Sequence, residues 1–537
     1  MAREWWRGSV TYQVYPRSFM DSNGDGIGDI PGITSRLPYL ADLGVDAVWL
    51  SPFFKSPMKD FGYDVSDYCD VDPDFGTLAD FDRMVEVAHR LGVRVVIDQV
   101  NSHCSDKHPA FVESRQSREN AKSDWFVWVD PRADGTPPNN WLSVFGGPAW
   151  QWDARRRQYY LHNFLAEQPD FNFHNPEVQD YHLANMRFWL ERGVDGFRLD
   201  TVNYYFHDKL LRDDAADFRV KDKPEGNPYG MQYHLFSKNQ PENLGWLERM
   251  RKLTDEFGAR MMVGEMGEIH HPIEMMGEYT KGARLHQCYS FEMMGYDYTA
   301  RHFRTKIGDF FAGAPNGWPA WAFSNHDVVR HVSRWEKHGL SREVLAKQAC
   351  ALLMSFQGSI YIWEGEELGQ TDSELAFEEL VDPQGINFWP EPIGRDGCRT
   401  PMVWEKDAPN AGFSTAARTW LPVKAPQAAV AADTQAGKAD SVLEFYRRMI
   451  AFRKASDDLM DGATDFIDLP EPLFAFRRGA RTLCVFNLSP ASMAVTVEGI
   501  EGIDLGLSAE LRKTTLDLGP NGFAFLTVTG DLSLSAV

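Results

Sequence analysis

Eight short apolar segments constrain the fold more than any other feature of this sequence. They occupy residues 9–15, 45–52, 93–98, 193–200, 261–265, 287–290, 321–325 and 359–363. Helical patterns separate several of them: apolar residues recur at helical spacing from Leu78 to Leu91 behind a capping Thr77, and Pro176 follows a capping Asn175. Strands that alternate with helices indicate a parallel sheet, and eight of them suit a closed barrel. We therefore predict an α/β fold of the (β/α)8 TIM-barrel type.

Two stretches interrupt this alternation. Residues 104–172 are rich in Pro, Gly, Asn and Trp, and an unstructured loop of that length is improbable in a compact domain. Beyond about residue 460, short alternating apolar runs predict an antiparallel β-sandwich. We expect a barrel at 1–103 and 173–459 (domain A), an inserted domain at 104–172 after the third strand (domain B) and a sandwich at 460–537 (domain C).

The charge and the cysteines limit the partners and the compartment. The net charge of the 537 residues is -22 and no basic cluster stands out, which argues against nucleic acid and anionic membranes. No stretch approaches the roughly 20 apolar residues of a membrane span, and the first eight residues lack the apolar run of a signal peptide. The six Cys show no metal-type spacing, so we expect free thiols in the cytoplasm. The oligomeric state stays open.

The segment 21–29 has the spacing of a cation-binding loop. Oxygen-bearing side chains alternate along it, and Gly26 stands at the sixth position, as in a calcium loop. The twelfth position is Gly32, where an EF-hand has Glu, and no flanking pair of helices is evident. The pattern favours one bound divalent cation, Ca²⁺ or Mg²⁺, over a turn held only by side-chain hydrogen bonds.

Three carboxylates follow strands of the predicted barrel. Asp200 ends the fourth strand, Glu265 ends the fifth, and Asp327 follows the seventh. The carboxyl ends of barrel strands meet at one mouth, where Arg198 and His103 also belong. Neighbouring carboxylates repel each other, so their pKa values must separate, and one can be an acid while another stays ionised. Cleavage of a glycosidic bond needs this arrangement. A metal site and a purely structural Arg–Asp pair are the alternatives.

Several ordered motifs together resemble one family over essentially the whole chain. The chain is similar to the α-amylase superfamily (glycoside hydrolase family 13), and within it to the α-glucosidase and oligo-1,6-glucosidase branch. The motifs are Asp98–His103, Gln168–Asn172, Gly196–Asp200, Val263–Glu265, Phe323–Asp327, Gly365–Gly369 and Arg395–Trp404. The resemblance implies the barrel, the insertion and the C-terminal domain described above.

The resemblance also implies catalytic roles. Asp200 is the expected nucleophile, Glu265 the general acid and base, and Asp327 the group that stabilises the transition state by binding sugar hydroxyls. Arg198 is expected to orient Asp200 and keep it ionised, because a nearby guanidinium lowers the pKa of a carboxyl group.

Further residues are assigned to the sugar on the same basis. His103 and His326 are expected to donate hydrogen bonds to sugar hydroxyls, and Tyr63 to stack under the glucose ring. Asp60 and Arg395 resemble a pair that grips the non-reducing end and closes the cavity beyond it, which makes such enzymes exo-acting.

Two positions depart from common patterns of the superfamily. Ser102 occupies the place of an Asn that binds calcium in amylases, so we expect the cation in the 21–29 loop instead. Thr201 follows the nucleophile where relatives that cleave α-1,6 links tend to carry Val, which favours α-1,4 links. Phe145 and Phe164 of domain B are predicted to be pocket walls, with plain packing as an equal alternative. The expected cation ligands are Asp21, Asn23, Asp25, the Ile27 carbonyl and Asp29.

The function predicted from these residues is an exo-acting retaining α-glucosidase. It would release glucose from short α-glucosides of the maltose type, with transfer to sugar acceptors as a side reaction. Retention needs two carboxyl groups about 5 Å apart. The alternatives are an oligo-1,6-glucosidase, a trehalose-acting or sucrose-acting relative, and, outside the enzymes, an inactive family member that serves as an ancillary subunit.

Overall fold

The computed structural model describes residues 3–219 and 226–537, so the predicted parts of domain A at 1–2 and 220–225 lie outside it. Within the described residues, eight parallel strands form one sheet, and all eight predicted strands are confirmed. The strands are β1 (Val10–Val14), β2 (Ala47–Leu50), β3 (Arg94–Gln99), β4 (Gly196–Leu199), β5 (Met261–Met266), β6 (Gln287–Ser290), β7 (Ala320–Ala322) and β8 (Ser359–Trp363). Their order is β6-β5-β4-β3-β2-β1-β8-β7, and a bridge between Cys288 and Pro319 nearly closes the barrel between β6 and β7.

A long helix follows each strand. These helices are α1 (Ile30–Leu43), α2 (Leu78–Arg90), α3 (Pro176–Glu191), α4 (Asn243–Asp255), α5 (Pro272–Tyr279), α6 (Ala300–Gly313), α7 (Arg342–Ser355) and α8 (Val442–Ala455). The predicted helix starts are confirmed: Thr77 and Asp80 form a reciprocal capping box at α2, and Asn175 caps α3 ahead of Pro176. Short helices occupy Pro16–Phe19, Pro109–Ser114, His331–Arg334, Pro383–Asn387, Asp396–Arg399, Ala425–Ala428, Ala432–Gln435 and Asp457–Asp461.

The register of the central strands places the site. Asp98 of β3 lies opposite Arg198 of β4, and Arg198 lies opposite Val263 of β5. All four residues of β4 are buried, because barrel strands are covered on the outside by helices and filled on the inside by side chains. The acidic residues at the ends of β4 and β5 therefore emerge at one mouth of the barrel.

The segment predicted as an insertion carries its own small sheet. Trp128–Val129, Gln158–Leu161 and Trp150–Asp153 pair in that order as an antiparallel sheet. Trp141 and Trp150 stack with ring centroids 5.8 Å apart and anchor a core separate from that of the barrel. The boundaries of the domains stay a prediction.

The C-terminal region is antiparallel, as the sequence predicts. Its strands are Thr464–Ile467, Leu473–Arg478, Thr482–Asn487, Met493–Arg512 and Thr515–Ala536. The two longest strands fold back on themselves, because Val495 pairs with both Leu516 and Ala536. Inner side chains of this C-terminal sheet, among them Leu483 and Leu526, form a core of their own.

The cysteines and the apolarity of the helices complete the description of the fold. All six cysteines lie in the described part of the chain and are free, and five of them are buried. Among the described helices, none combines the length and the apolarity needed to cross a bilayer.

Candidate active site

A cavity of about 180 Å³ opens at the mouth of the barrel. It brings together every predicted catalytic and substrate-binding residue except Arg198, which lies buried behind it. These lining residues are Asp60, Tyr63, His103, Phe145, Phe164, Asp200, Thr201, Glu265, His326, Asp327 and Arg395. Five residues without a predicted role also line the cavity: Val144, Tyr204, Gly267, Phe291 and Gln384.

The guanidinium of Arg198 organises the floor of the cavity. Its Nη1 lies 2.8 Å from Asp200 Oδ1 and its Nη2 lies 2.6 Å from Glu265 Oε2. Nη1 also donates to both oxygens of Asp98 at 2.9 Å. The Tyr289 hydroxyl accepts from Arg198 Nη2 at 3.1 Å and donates to Glu265 Oε1 at 3.2 Å. Because the guanidinium is planar and rigid, these bonds fix the two carboxyl groups relative to each other.

The pKa values of the two central carboxyl groups are raised. Burial is the largest effect and raises the pKa of Asp200 to about 7, although Arg198 lowers it. Burial likewise raises the pKa of Glu265 to about 7 against the pull of Arg198. Arg198 therefore acts on Asp200 in the predicted direction, but burial outweighs it. Since the two groups interact, they titrate as a pair, and one proton is shared near neutral pH.

Asp327 differs from this pair. Its Oδ1 accepts from Arg399 Nη2 at 3.0 Å and from Arg395 Nη1 at 3.3 Å. Burial raises the pKa of Asp327, but the electrostatic effects of His326, Arg395 and Arg399 outweigh burial and hold it below its ordinary value. Asp327 therefore stays ionised while Asp200 and Glu265 share a proton, which is the separation of carboxyl pKa values that the sequence predicts.

The predicted pair of Asp60 and Arg395 forms part of the cavity wall. Arg395 Nη2 lies 2.8 Å from Asp60 Oδ1 and 2.7 Å from Asp382 Oδ1, and all three side chains are buried. Gln168 Nε2 donates to the other oxygen of Asp60 at 3.1 Å. The Arg395 guanidinium also lies over the ring of Phe145, with its central carbon 4.9 Å from the ring centroid. The fork of Arg395 is therefore held from several sides.

Thr201 touches both central carboxyl groups. Its amide N–H donates to Glu265 Oε2 at 3.2 Å, and its hydroxyl donates to Asp200 Oδ2 at 3.1 Å. Its backbone φ of 38° lies in the left-handed region, which a β-branched residue rarely adopts. Such a conformation costs about 1–3 kcal/mol and persists where the surroundings hold it.

His326 and Tyr63 form a chain that leads to Asp98. Gln13 Nε2 lies 2.7 Å from His326 Nδ1, and His326 Nε2 lies 2.6 Å from the Tyr63 hydroxyl, which donates to Asp98 Oδ2 at 3.1 Å. An amide NH₂ can only donate, so Nδ1 of His326 accepts and its Nε2 carries the proton. The predicted donation from His326 to a sugar hydroxyl thus has Tyr63 as a competing acceptor.

Two aromatic residues of the inserted segment, Phe145 and Phe164, line the cavity and also pack against other rings. The rings of Phe145 and Phe164 meet edge to face with centroids 5.7 Å apart. Phe164 also packs against His103 at 5.0 Å and against Tyr204 at 5.5 Å. Burial lowers the pKa of His103 to about 3, so this imidazole is neutral at physiological pH.

Four residues with clear contacts were not assigned a role from the sequence. Asp98 and Arg399 stand inside the recognised motifs, so their positions could have been examined as partners of Arg198 and Asp327. Tyr289 and Asp382 carry no local signal, because Tyr289 sits in an ordinary strand and Asp382 in an irregular stretch. Only the folded chain brings them to Glu265 and Arg395.

The 21–29 loop is wound around its own side chains. Asp21 Oδ1 accepts from the Asn23 N–H at 3.0 Å, Asn23 Oδ1 from the Asp25 N–H at 2.9 Å, and Asp25 Oδ1 from the Ile27 N–H at 2.8 Å. Asp29 caps α1 through the Gly32 N–H, so it has a structural role of its own. Across the described residues, no three His, Cys, Asp or Glu side chains are grouped as metal ligands. The loop's oxygen donors suit a hard cation. Asp21 already accepts four hydrogen bonds, from the N–H groups of Asn23, Gly24 and Gly26 and from the Ser414 hydroxyl, whereas the described contacts of Asp25 occupy only its Oδ1.

Together the fold and the cavity define a barrel enzyme of acid–base chemistry, with its acidic groups at the carboxyl ends of the strands. Residues 13–462 match the family described as "Alpha amylase, catalytic domain". The chain belongs to this α-amylase family.

The chain is similar to proteins of that family over nearly its full length. It is 56% identical to a "Probable alpha-glucosidase" of Rhizobium meliloti (strain 1021), covering 91% of this chain and 90% of the relative. It is 37% identical to an "Oligo-1,6-glucosidase" of Heyndrickxia coagulans, covering 90% of this chain and 92% of the relative. The crystal structure of the "alpha-glucosyl transfer enzyme, XgtA" superposes with a TM-score of 0.94 at 51% identity, covering 98% of this chain and 100% of that one.

Proposed function

We propose that this protein is an exo-acting retaining α-glucosidase that releases glucose from the non-reducing end of short α-glucosides. The observation that carries the proposal is the Arg198 guanidinium bonded to both Asp200 and Glu265. A double displacement requires two carboxyl groups about 5 Å apart, and one planar group bonded to both keeps these two close. The names of the relatives support the substrate class.

In the first half of the reaction, ionised Asp200 attacks the anomeric carbon. Protonated Glu265 gives its proton to the leaving oxygen, so the glycosidic bond breaks and a glucosyl–Asp200 ester forms. In the second half, Glu265 takes a proton from a water molecule, which attacks the anomeric carbon and releases Asp200. The raised pKa values suit these roles, because one shared proton near pH 7 gives one acid and one carboxylate.

Asp327 would bind hydroxyls of the same sugar ring. Its charge is fixed by Arg395 and Arg399, so it offers an acceptor that does not titrate with the catalytic pair. The Asp60–Arg395 pair in the wall would meet the non-reducing end and leave no room for a further sugar on that side. This arrangement supports release of one glucose at a time.

We place the linkage preference at α-1,4, with transfer to sugar acceptors as a second outcome. The polar Thr201 lines the cavity beside both carboxyl groups and supports this preference. The relatives named for α-1,6 cleavage and for glucosyl transfer define the alternatives. In transfer, an acceptor hydroxyl replaces water in the second half of the reaction.

The test is a panel of maltose, isomaltose, trehalose and sucrose, with the first anomer of glucose followed by NMR. We expect maltose to be cleaved fastest and α-glucose to appear first. β-Glucose as the first product would refute retention, and faster cleavage of isomaltose would refute the linkage preference. Asp200→Asn should remove turnover, whereas Asp195→Asn, at a buried site near the other end of β4, should keep it.

We also propose one Ca²⁺ or Mg²⁺ in the 21–29 loop, held by the side chains of Asp21, Asn23, Asp25 and Asp29 and by the Ile27 carbonyl. The oxygen donors support a hard cation. Isothermal titration of metal-stripped protein should give one site, which Asp25→Asn weakens. Equal binding by that variant, or no binding by the wild type, would refute the site.

We propose that the enzyme works in the cytoplasm, since six unpaired thiols suit a reducing compartment. Cell fractionation with antibody detection would test this, and recovery outside the cytoplasmic fraction would refute it.

A further inference from the structure

We propose that Ser102 is a positioning residue for the nucleophile: its hydroxyl ties His103 to Thr201 and, through Thr201, holds Asp200 for attack. This inference rests on the proposed function, because it deepens the role of Asp200. Ser102 and Thr201 are the two positions at which the sequence departs from superfamily patterns, and the fold brings them into contact.

The contact is a continuous line of hydrogen bonds. Ser102 Oγ lies 2.9 Å from His103 Nδ1 and 3.0 Å from Thr201 Oγ1. Thr201 Oγ1 in turn lies 3.1 Å from Asp200 Oδ2. Ser102 itself is buried and does not line the cavity, whereas the other three residues do. Ser102 therefore acts on the sugar only through its neighbours.

Counting protons fixes the direction of this line. Each hydroxyl has one proton to donate. When Asp200 is ionised, it can only accept, so Thr201 donates to Asp200 and Ser102 must donate to Thr201. His103 Nδ1 must then donate to Ser102, which leaves His103 Nε2 as an acceptor and not as the donor to a sugar hydroxyl that the resemblance implies. Gln168 Nε2, an amide donor, lies 3.2 Å from that nitrogen, as this direction requires.

Thr201 needs support of this kind. Its left-handed backbone is strained, yet this conformation is what aims its N–H at Glu265 and its hydroxyl at Asp200. A bond from Ser102 fixes the rotamer of Thr201 and polarises its O–H, so the bond to ionised Asp200 becomes stronger. Loss of the Ser102 hydroxyl should therefore destabilise the ionised form of Asp200 relative to the protonated form, which raises the pKa of Asp200.

The other groups that act on Asp200 stay unchanged when Ser102 is replaced. Charged neighbours come from its own strand, from β3, from β5 and from the loop after β7, and neutral hydroxyls come from nearby tyrosines. These groups are Arg198, Asp98, Glu265, Asp327, Tyr63 and Tyr205. A shift in the pKa of Asp200 on removal of the Ser102 hydroxyl then results from the hydrogen bonds that join Ser102 to Thr201 and Thr201 to Asp200.

The experiment compares Ser102→Ala with Ser105→Ala, using α-glucosyl fluoride, whose fluoride leaves with little help from a general acid. Ser105 is a fully buried serine of the same loop, and its hydroxyl accepts from the backbone N–H of Lys107 at 3.1 Å, away from Thr201. We expect Ser102→Ala to lower kcat/KM about fivefold with KM unchanged, from the loss of one hydrogen bond, and to move the acid limb of the pH profile upward. Ser105→Ala should change neither quantity.

A double-mutant cycle separates positioning from general loss of structure. Ser102→Ala should still reduce kcat/KM in a Thr201→Ser background, which keeps the hydroxyl, but not in a Thr201→Val background. An equal effect in both backgrounds, or no difference between Ser102→Ala and Ser105→Ala, would overturn the proposal.

A second measurement does not depend on the reaction. In protein labelled with ¹⁵N-histidine, His103 should carry its proton on Nδ1, and His103→Asn assigns the signal. A proton on Nε2 alone would overturn the proposed direction. If the wild type cleaves α-glucosyl fluoride but none of the disaccharides, only the proposed substrate class fails. If it cleaves neither, the proposed function fails and with it the positioning role, and the histidine signal still decides the direction of the hydrogen bonds through Ser102.

Discussion

Replacing Asp98 with Asn removes a negative charge beneath the cavity while keeping the shape of the side chain. Asp98 is fully buried and accepts from Arg198 through both oxygens, from Tyr63 at 3.1 Å and from Trp49 Nε1 at 3.2 Å. An Asn keeps only one of these oxygens. Its NH₂ group must face an N–H donor of Arg198 in either orientation, so at least one buried donor loses its partner.

The magnitude follows from those contacts. Breaking a buried ion pair from one side costs about 3–5 kcal/mol, because the remaining charge is left without compensation. Arg198 keeps Asp200 and Glu265 as partners, which places the expected loss at the lower end. We therefore predict that Asp98→Asn lowers the free energy of unfolding by about 3 kcal/mol.

The variant should also change the pH dependence of catalysis. The charge of Asp98 opposes ionisation of Asp200, so its removal lowers the pKa of Asp200. The same repulsion acts between Asp98 and Glu265. Both limbs of the profile of kcat/KM against pH should therefore move to lower pH.

Urea unfolding followed by tryptophan fluorescence measures the loss of stability. The profile of kcat/KM for maltose over about six pH units, from roughly pH 4 to pH 10, measures the shift of both limbs. Asp195→Asn is the matched control, because Asp195 is a buried carboxylate bonded to Arg94 at 3.0 Å and to His89 at 2.6 Å, away from the cavity. It should lose stability without a shift of the limbs. Unchanged stability of Asp98→Asn, or limbs that move to higher pH, would contradict these roles of Asp98.

Three further predictions concern titration and the cavity wall. Because the pKa values of Asp200 and Glu265 are both raised to about 7, kcat/KM should follow a narrow bell centred near neutral pH, and a broad plateau would contradict the shared proton. Arg395→Lys loses the fork that holds Asp60, so kcat/KM for maltose should fall about tenfold or more, and wild-type kinetics would contradict this role. Burial raises the pKa of Glu366 to about 8, so the folded state holds a proton that the unfolded chain releases. This contribution to stability is complete below the unfolded pKa and is lost as pH rises through about 8. Glu366→Gln should therefore become more stable relative to the wild type as pH rises. A difference in the free energy of unfolding, measured with urea, that stays the same at every pH would contradict this.

Local patterns were sufficient for the barrel. Each predicted strand is a short apolar run between turn or helix signals, and these signals depend on neighbours in sequence. The helix starts at Thr77 and Asn175 were predictable for the same reason. The predicted carboxylates could be placed at one mouth because parallel strands of a barrel share their direction.

The contacts that tune the site were not predictable in this way. Asp60 is 335 residues away from Arg395 along the chain, and Asp382, 13 residues away, stands in an irregular stretch that gives no spacing rule. The pKa of Asp200 also depends on burial, which no spacing reveals, so a prediction from Arg198 alone underestimates it. The contact between Ser102 and Thr201 depends on the turn that gives Thr201 its positive φ.

Trapping the covalent intermediate would identify the nucleophile. A 5-fluoro-α-glucosyl fluoride transfers its sugar to the enzyme rapidly, and the bound sugar is released slowly, so the labelled enzyme can be digested and sequenced by mass spectrometry. We expect one fluoroglucosyl ester on Asp200 and no label in Asp200→Asn. A label on Glu265, or turnover that releases β-glucose without any trapped ester, would contradict this expectation.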